Sequence, residues 1–132
     1  MKPIKVIIAG GRDFIDQVHL NKACDSMLKG KPNIEIVSGG AFGADKMGEI
    51  YAKDNGYTFK VFKADWNTHG KSAGFIRNKQ MSDYADALIA FWDGNSSGTL
   101  NMIETAKKKG MPVKVVGYQR DFIHQEGFDM LY

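Results

Sequence analysis

The sequence predicts an α/β fold: a Rossmann-like, doubly wound parallel sheet of five strands with helices on both faces. Two observations predict the class. Short apolar runs alternate with stretches that carry one apolar face at helical spacing, the pattern of right-handed β–α–β crossovers. Three of the runs also end in small-residue turns, Gly10-Gly11-Arg12, Ser38-Gly39-Gly40-Ala41-Phe42-Gly43-Ala44-Asp45 and Asp93-Gly94-Asn95-Ser96-Ser97-Gly98-Thr99. In a parallel sheet such turns lie along the carboxyl edge, where ligands bind. The strand order 3-2-1-4-5 puts strands 2, 1 and 4 side by side, so the three turns share one crevice at the switch point. The competing order 2-1-3-4-5 separates the second turn from the one after strand 4.

Lys5-Val6-Ile7-Ile8-Ala9 reads as a buried central strand. Asp16 caps the first helix, and Ile15 with Leu20 suits a hydrophobic staple across that cap. Leu20, Ala23, Cys24, Met27 and Leu28 form its apolar face, and Gly30 with Pro32 ends it. Residues 34–37 are the second strand. Ala44, Met47, Gly48, Tyr51 and Ala52 share one face of the next helix, which stops at Asn55-Gly56. Residues 57–62 form the third strand, with Tyr57, Phe59 and Val61 alternating against Thr58, Lys60 and Phe62.

Residues 63–73 read as a polar loop, long for this fold and for that reason a candidate for function. A helix from about residue 74 to 84 follows, then a fourth strand over residues 87–92. Ser97 or Thr99 opens the next helix. Lys107-Lys108-Lys109-Gly110 closes it as its dipole favours, and Pro112 forbids continuation. Residues 113–117 are the fifth strand. In the tail, residues 118–132, Phe122, Phe128 and Leu131 predict packing onto the domain.

The chain has 132 residues, of which 43% are hydrophobic and 25% charged, which suits one soluble globular domain over residues 1–132. There is no repeat, low-complexity tract or linker. A formal net charge of +3 is too small to imply nucleic acid by itself. The lone Cys24 excludes an intrachain disulfide. No apolar run approaches the roughly 20 residues of a membrane span, and residues 4–9 are too short for a signal peptide. The chain is read as cytoplasmic, with no membrane partner.

Glycine lets backbone N–H groups approach an anion, and a helix N-terminus favours negative charge. Three convergent turns point to a phosphate-bearing ligand, most plainly a nucleotide. The segment from Ser38 to Asp45 carries a hydroxyl, the glycines Gly39, Gly40 and Gly43, and a helix-opening acid. Asp45 reads equally as a ligand contact and as an acid complementing the helix dipole. Gly70-Lys71-Ser72 resembles the end of a P-loop, but the glycine that motif needs five positions earlier is Asp65, so Walker-type hydrolysis is excluded. Arg77 offers a bidentate fork for phosphate and shares a region with Trp66, Lys71 and Asn78. Trp66 and Phe42 are stacking surfaces for a base or part of the core. His19, His69 and His124 are scattered, so no metal site is expected. The carboxylates open to chemistry are Asp13, Asp45, Glu49, Asp65, Asp93 and Glu104.

Three stretches together resemble the SLOG superfamily, which groups the Smf/DNA-processing-A proteins with the Lonely Guy proteins. They are Ile8-Ala9-Gly10-Gly11-Arg12-Asp13-Phe14, the run from Val37 to Asp45, and Ala73-Gly74-Phe75-Ile76-Arg77-Asn78-Lys79-Gln80-Met81. The run from Ala85 to Gly94, with Gly98-Thr99, extends the likeness, which is greatest to the YspA-type branch. The resemblance implies a Rossmann-like sheet that binds a nucleotide or nucleotide derivative. It also implies relatives that often dimerise, so a homodimer is among the expectations. Lonely Guy proteins cut the N-glycosidic bond of nucleoside monophosphates with an arginine, in an Arg-Lys-x-x-Met stretch, and a glutamate three residues past a Gly-Gly-x-Gly-Thr turn. Arg77, four residues before Met81, matches the arginine. The glutamate position holds Met102, and Glu104 would project from another side of the helix. Methionine can neither stabilise an oxocarbenium-like state nor activate water.

Three functions are therefore in view. The first is a module that senses or sequesters a nucleotide or nucleotide-derived ligand, with no cofactor. Its ligand-binding residues are Gly10, Gly11, Arg12, Ser38, Gly39, Gly40, Gly43, Asp45, Trp66, Arg77, Asn78, Gly94, Ser97, Gly98 and Thr99. The phosphate would lie on the turns after the second and fourth strands. The second is a hydrolase of phosphoribohydrolase type that cleaves an N-glycosidic or phosphoester bond with Asp45 or Asp93. The third is single-stranded DNA binding, which the modest charge and the lack of a basic-aromatic stripe disfavour.

Overall fold

Apolar strands buried on both faces need helices above and below them, and the chain supplies both layers. The computed structural model describes residues 2–119, 130 and 131. Its strands are β1 (Ile4–Gly10), β2 (Ile34–Ser38), β3 (Thr58–Val61), β4 (Ala87–Trp92), β5 (Val113–Gly117) and β6 (Met130–Leu131). Its helices are α1 (Gln17–Leu28), α2 (Ala44–Asp54), α3 (Trp66–His69), α4 (Ala73–Tyr84) and α5 (Ser97–Lys108). The sheet order is β3-β2-β1-β4-β5-β6. The first five strands are parallel, in the order the sequence predicts. β6 adds a short antiparallel pairing along β5, with Val116 opposite Leu131.

The central strand shows why the sheet needs two layers. Val6 and Ile8 point into a core completed by Leu20, Cys24 and Leu28 of α1 and by Ala44, Tyr51 and Ala52 of α2. Ile7 and Ala9 point the other way, onto Met81 of α4 and Met102, Ile103 and Ala106 of α5. Each such fully buried aliphatic chain contributes about 1.5–3 kcal/mol. The register sets Ile7 against Val37 and Leu88, which brings the carboxyl ends of β1, β2 and β4 to one edge.

Several local expectations change. Asp16 does cap α1, accepting from the His19 N–H at 2.9 Å. Ile15, however, is 60% exposed and makes no staple. Its neighbour Phe14 turns inward instead, against Phe91 and Tyr118 with ring centroids 5.0 and 4.9 Å away. The expected loop over residues 63–73 is folded: α3 is followed by a 3-10 turn over Gly70–Ser72 that leads into α4. Asp65 starts α3 by accepting from the Thr68 N–H at 3.1 Å. Periodicity cannot reveal a helix of four residues, whose only signal is this cap. β3 is shorter than residues 57–62, although the Phe62 N–H still reaches the Ser38 carbonyl at 2.8 Å. α5 opens at Ser97, not Thr99. Phe122, Phe128 and the side chain of Leu131 lie outside the described residues, and so does the packing expected of them. No helix among the described residues is long and apolar enough to cross a membrane.

Candidate functional site

A cleft of about 720 Å³ opens at the carboxyl edge, where β1 and β4 meet. Its floor is apolar: Ala9, Met81 and Met102, the last two only 1% exposed. Met102, at the position where the sequence resemblance calls for a glutamate, is thus part of the cleft floor, and Glu104 is exposed.

The turn after β1 forms one wall through Gly10, Gly11 and Arg12. Its course is fixed by contact. The Gly11 N–H donates to the Phe91 carbonyl at 3.1 Å. The Tyr118 hydroxyl donates to Asp13 Oδ1 at 2.6 Å, and a Cβ on Gly11 would collide with that hydroxyl. Arg12 reaches over the half-exposed Trp66, its guanidinium carbon 5.8 Å from the ring centre.

The turn after β2 is mostly turned in on itself. Ser38 is fully buried, and its Oγ donates to Glu49 Oε2 at 2.7 Å while accepting from the Gly40 N–H at 3.0 Å. The Ala41 N–H donates to Asp45 Oδ2 at 3.2 Å. Gly43 has φ +78°, and a Cβ there would lie 2.3 Å from the Gly11 carbonyl oxygen. The Ala44 N–H donates to that same oxygen at 3.2 Å. Gly43 is thus glycine so that the second turn can lie on the first. Ser38, Gly39, Gly40 and Gly43 are not among the lining residues; Ala41 and Asp45 are.

The turn after β4 is built differently. Asp93 Oδ1 accepts from the Asn95 and Ser96 N–H groups at 2.9 and 2.8 Å, which folds the chain into α5. Gly94, with φ +81°, makes the bend and does not line the cleft. Asp93, Ser97, Gly98 and Thr99 do. The first amides of a helix have no intrahelical acceptor, and Ser96 makes no side-chain cap bond. The N-terminus of α5 therefore faces the cleft with its donors and its positive dipole end.

α4 joins these parts. Asn78, 5% exposed, donates through Nδ2 to the Gly98 carbonyl at 3.2 Å and to Asn101 Oδ1 at 3.0 Å. Arg77 donates through Nη1 to the Gly39 carbonyl at 2.5 Å and through Nε to Asn78 Oδ1 at 3.2 Å. Nη2 has no protein acceptor among the described residues. Burial lowers the Arg77 pKa, against the pull of Asp45, yet a guanidinium remains charged. Gly39 carries no side chain because Arg77 and Asp45 close on its Cα: a Cβ would lie 2.5 Å from Nη1 and 2.7 Å from Asp45 Oδ2.

Asp45 is the charged group whose state the site alters most. Burial pushes its carboxyl up to about 6, outweighing the Ala41 N–H and Arg77, which lower it. A buried carboxyl poised there can hold or release a proton near neutrality. Among the described residues no group of three or more His, Cys, Asp or Glu could hold a metal ion.

The structure thus gathers Gly10, Gly11, Arg12, Asp45 and Trp66 with Arg77, Asn78, Asp93, Ser97, Gly98 and Thr99. The sequence site omitted Lys71, Gly74, Phe75, Asn95 and Ser96, all of which line the cleft. Lys71 and Gly74 lie in or beside the folded 65–72 segment, whose only signal was its Asp65 cap. Gly74 sits beneath the indole, 3.4 Å from Trp66 to an added Cβ.

Comparison with known proteins places the chain. Residues 4–69 match the family model described as the YspA, cpYpsA-related SLOG family. The chain is 36% identical over 116 residues to the Gene 61 protein of Mycobacterium phage D29, covering 83% of this chain and 93% of that protein. In structure it is similar to DNA processing protein A (DprA) from Streptococcus pneumoniae, with a TM-score of 0.67 at 19% identity over 86% of this chain. The chain spans 50% of that protein's chain, and the likeness is one of fold.

Proposed function

Because the chain belongs to the YspA, cpYpsA-related SLOG family, we propose that its cleft binds a nucleotide or nucleotide-derived ligand, as a sensor or sequestering module. One observation carries this reading: the open N-terminus of α5 and the side chain of Arg77, whose Nη2 has no acceptor among the described residues, line the same cleft. Dipole, amides and guanidinium together suit a phosphate. Arg12 and Lys71 add positive charge, and Trp66 offers a face for a base. Asp13 and Asp93 line the same cleft. The whole chain, residues 1–132, acts in this reading as one cytoplasmic binding domain.

Calorimetric titration with nucleoside monophosphates and NAD-like dinucleotides, with chromatography for free base, tests the proposal. Binding without turnover is the expected result. Failure of every nucleotide to bind overturns it.

One observation favours a second reading, N-glycosidic hydrolysis. Asp45 is a buried carboxylate in the cleft with Arg77 beside it, and it supplies an acid where Met102 does not. Release of free base that Asp45→Ala abolishes would establish that reading. Single-stranded DNA binding, the third expectation from the sequence, predicts affinity that falls steeply with salt.

A further inference from the structure

Asp45 has a relation to Arg77 that ligand binding alone does not require. Its Oδ2 and the Arg77 Nη1 close on the same point above Gly39. The carboxyl lines the cleft although only 5% exposed, so little water screens it from an anion there. Two neighbouring N–H groups, those of Ala41 and Gly10, favour its charge. A phosphate bound to Nη2 would meet the field of this carboxylate at close range. Like charges in a partly desolvated cleft oppose each other far more strongly than in water.

The other charged groups around Asp45 have their own arrangements. Glu49, one turn along α2, accepts from Ser38 Oγ, pairs with Lys46 at 3.7 Å, and its charge adds to the upward shift at Asp45. Asp13 accepts from the Tyr118 hydroxyl, and Asp93 accepts two backbone amides. Arg12, Lys71 and Arg77 bring positive charge from the turn after β1, from the 3-10 turn and from α4. Neither His19 nor His69 lines the cleft.

We propose that Asp45 is a positioning residue that gates the anion subsite through Arg77. With its carboxyl protonated, the guanidinium offers its full charge to the anion. With it ionised, the carboxylate competes for that charge, so anion binding favours the protonated form and takes up part of a proton near neutral pH. The upward shift of this carboxyl to about 6 puts the change within reach of ordinary pH. The inference rests on the proposed anion site, and the test separates the two.

Inorganic sulfate is the probe, because it keeps its charge between pH 5 and 8. Titration by calorimetry should show affinity roughly tenfold weaker at pH 8 than at pH 5, the scale expected of two unit charges meeting in a partly solvated cleft. At pH 6.5, buffers of different ionisation heat should reveal proton uptake on sulfate binding. Asp45→Asn should bind sulfate equally at both pH values, near the wild-type affinity at pH 5. The wild-type proton count stands without that variant, should it fail to fold. Sulfate binding with no pH dependence and no proton uptake overturns the gate and leaves the anion site in place. A slope that persists in Asp45→Asn also overturns the gate. No sulfate binding at any pH overturns the gate and the anion site together.

Discussion

The turn after β2 and the turn after β4 look alike in sequence, both rich in glycine and hydroxyl residues, and they do different work. In the first, Gly40 and Ala41 donate to Ser38 and Asp45, and Gly43 packs on Gly11 and Arg12. In the second, Asp93 gathers Asn95 and Ser96 while the start of α5 stays open to the cleft. A glycine-rich turn becomes an anion site only where its amides lack partners within the protein. The first turn builds the wall and holds Asp45; the second faces the ligand.

The contrast can be broken most severely at Gly43. A Cβ at φ +78° beside the Gly11 carbonyl combines backbone strain with a backbone collision. Gly43→Val should destabilise the protein by more than about 3 kcal/mol, seen as a large fall in melting temperature. A stable Gly43→Val would show that the two turns are not locked together.

Arg77→Ala should act on the ligand instead. Loss of a charge-assisted contact costs about 1.5–3 kcal/mol, so nucleotide affinity should fall at least tenfold, measured by calorimetry. Melting temperature should change less than this loss implies. Unchanged affinity would remove Arg77 from the site.

Asp45 connects the turns to pH. Its folded carboxyl holds a proton up to about 6, against an ordinary value of 3.8. The folded state therefore binds more protons between those values, and stability falls as pH rises through that window. The loss is on the order of 2–3 kcal/mol. Asp45→Asn should flatten this fall, visible in melting temperatures from pH 4 to 7. A flat wild-type profile would contradict the burial of its charge.

The smallest expected effect sharpens the comparison. Gly98 has open space where a Cβ would go. Gly98→Ala should therefore leave stability unchanged or raise it slightly, since Gly98 lies in the first turn of α5, while its methyl, on a residue that lines the cleft, weakens nucleotide binding. Equal or tighter binding would argue that the ligand does not approach α5.

Much of this was legible in the sequence because the signals were strong and local. The apolar runs at Val6–Ala9 and Leu88–Phe91 and the glycine stops marked the strands, the crossover rules made them parallel, and the crevice shared by three glycine turns favoured the order 3-2-1-4-5 over 2-1-3-4-5. Arg77 and Trp66 were legible through their neighbourhood in the chain. What escaped depended on tertiary partners or on very short elements. Nothing local says that Phe14, rather than Ile15, turns inward. Nothing in the Ser38–Asp45 motif reveals that the Gly40, Ala41 and Ala44 amides already have acceptors, since Ser38 Oγ, the Asp45 carboxylate and the Gly11 carbonyl serve only once the chain has folded back. α3 was hidden because four residues carry no periodicity. Lys71 and Phe75, read as parts of a loop and a plain helix, reach the cleft only through that fold.

An NMR titration of the amide resonances with AMP tests the central claim most directly. Shifts concentrated at Ser97, Gly98 and Thr99, with the Arg77 side chain, are predicted, while Gly40 and Ala41 stay nearly still. Shifts centred on Gly40 to Gly43, with none at the start of α5, would contradict the assignment of the anion to that helix.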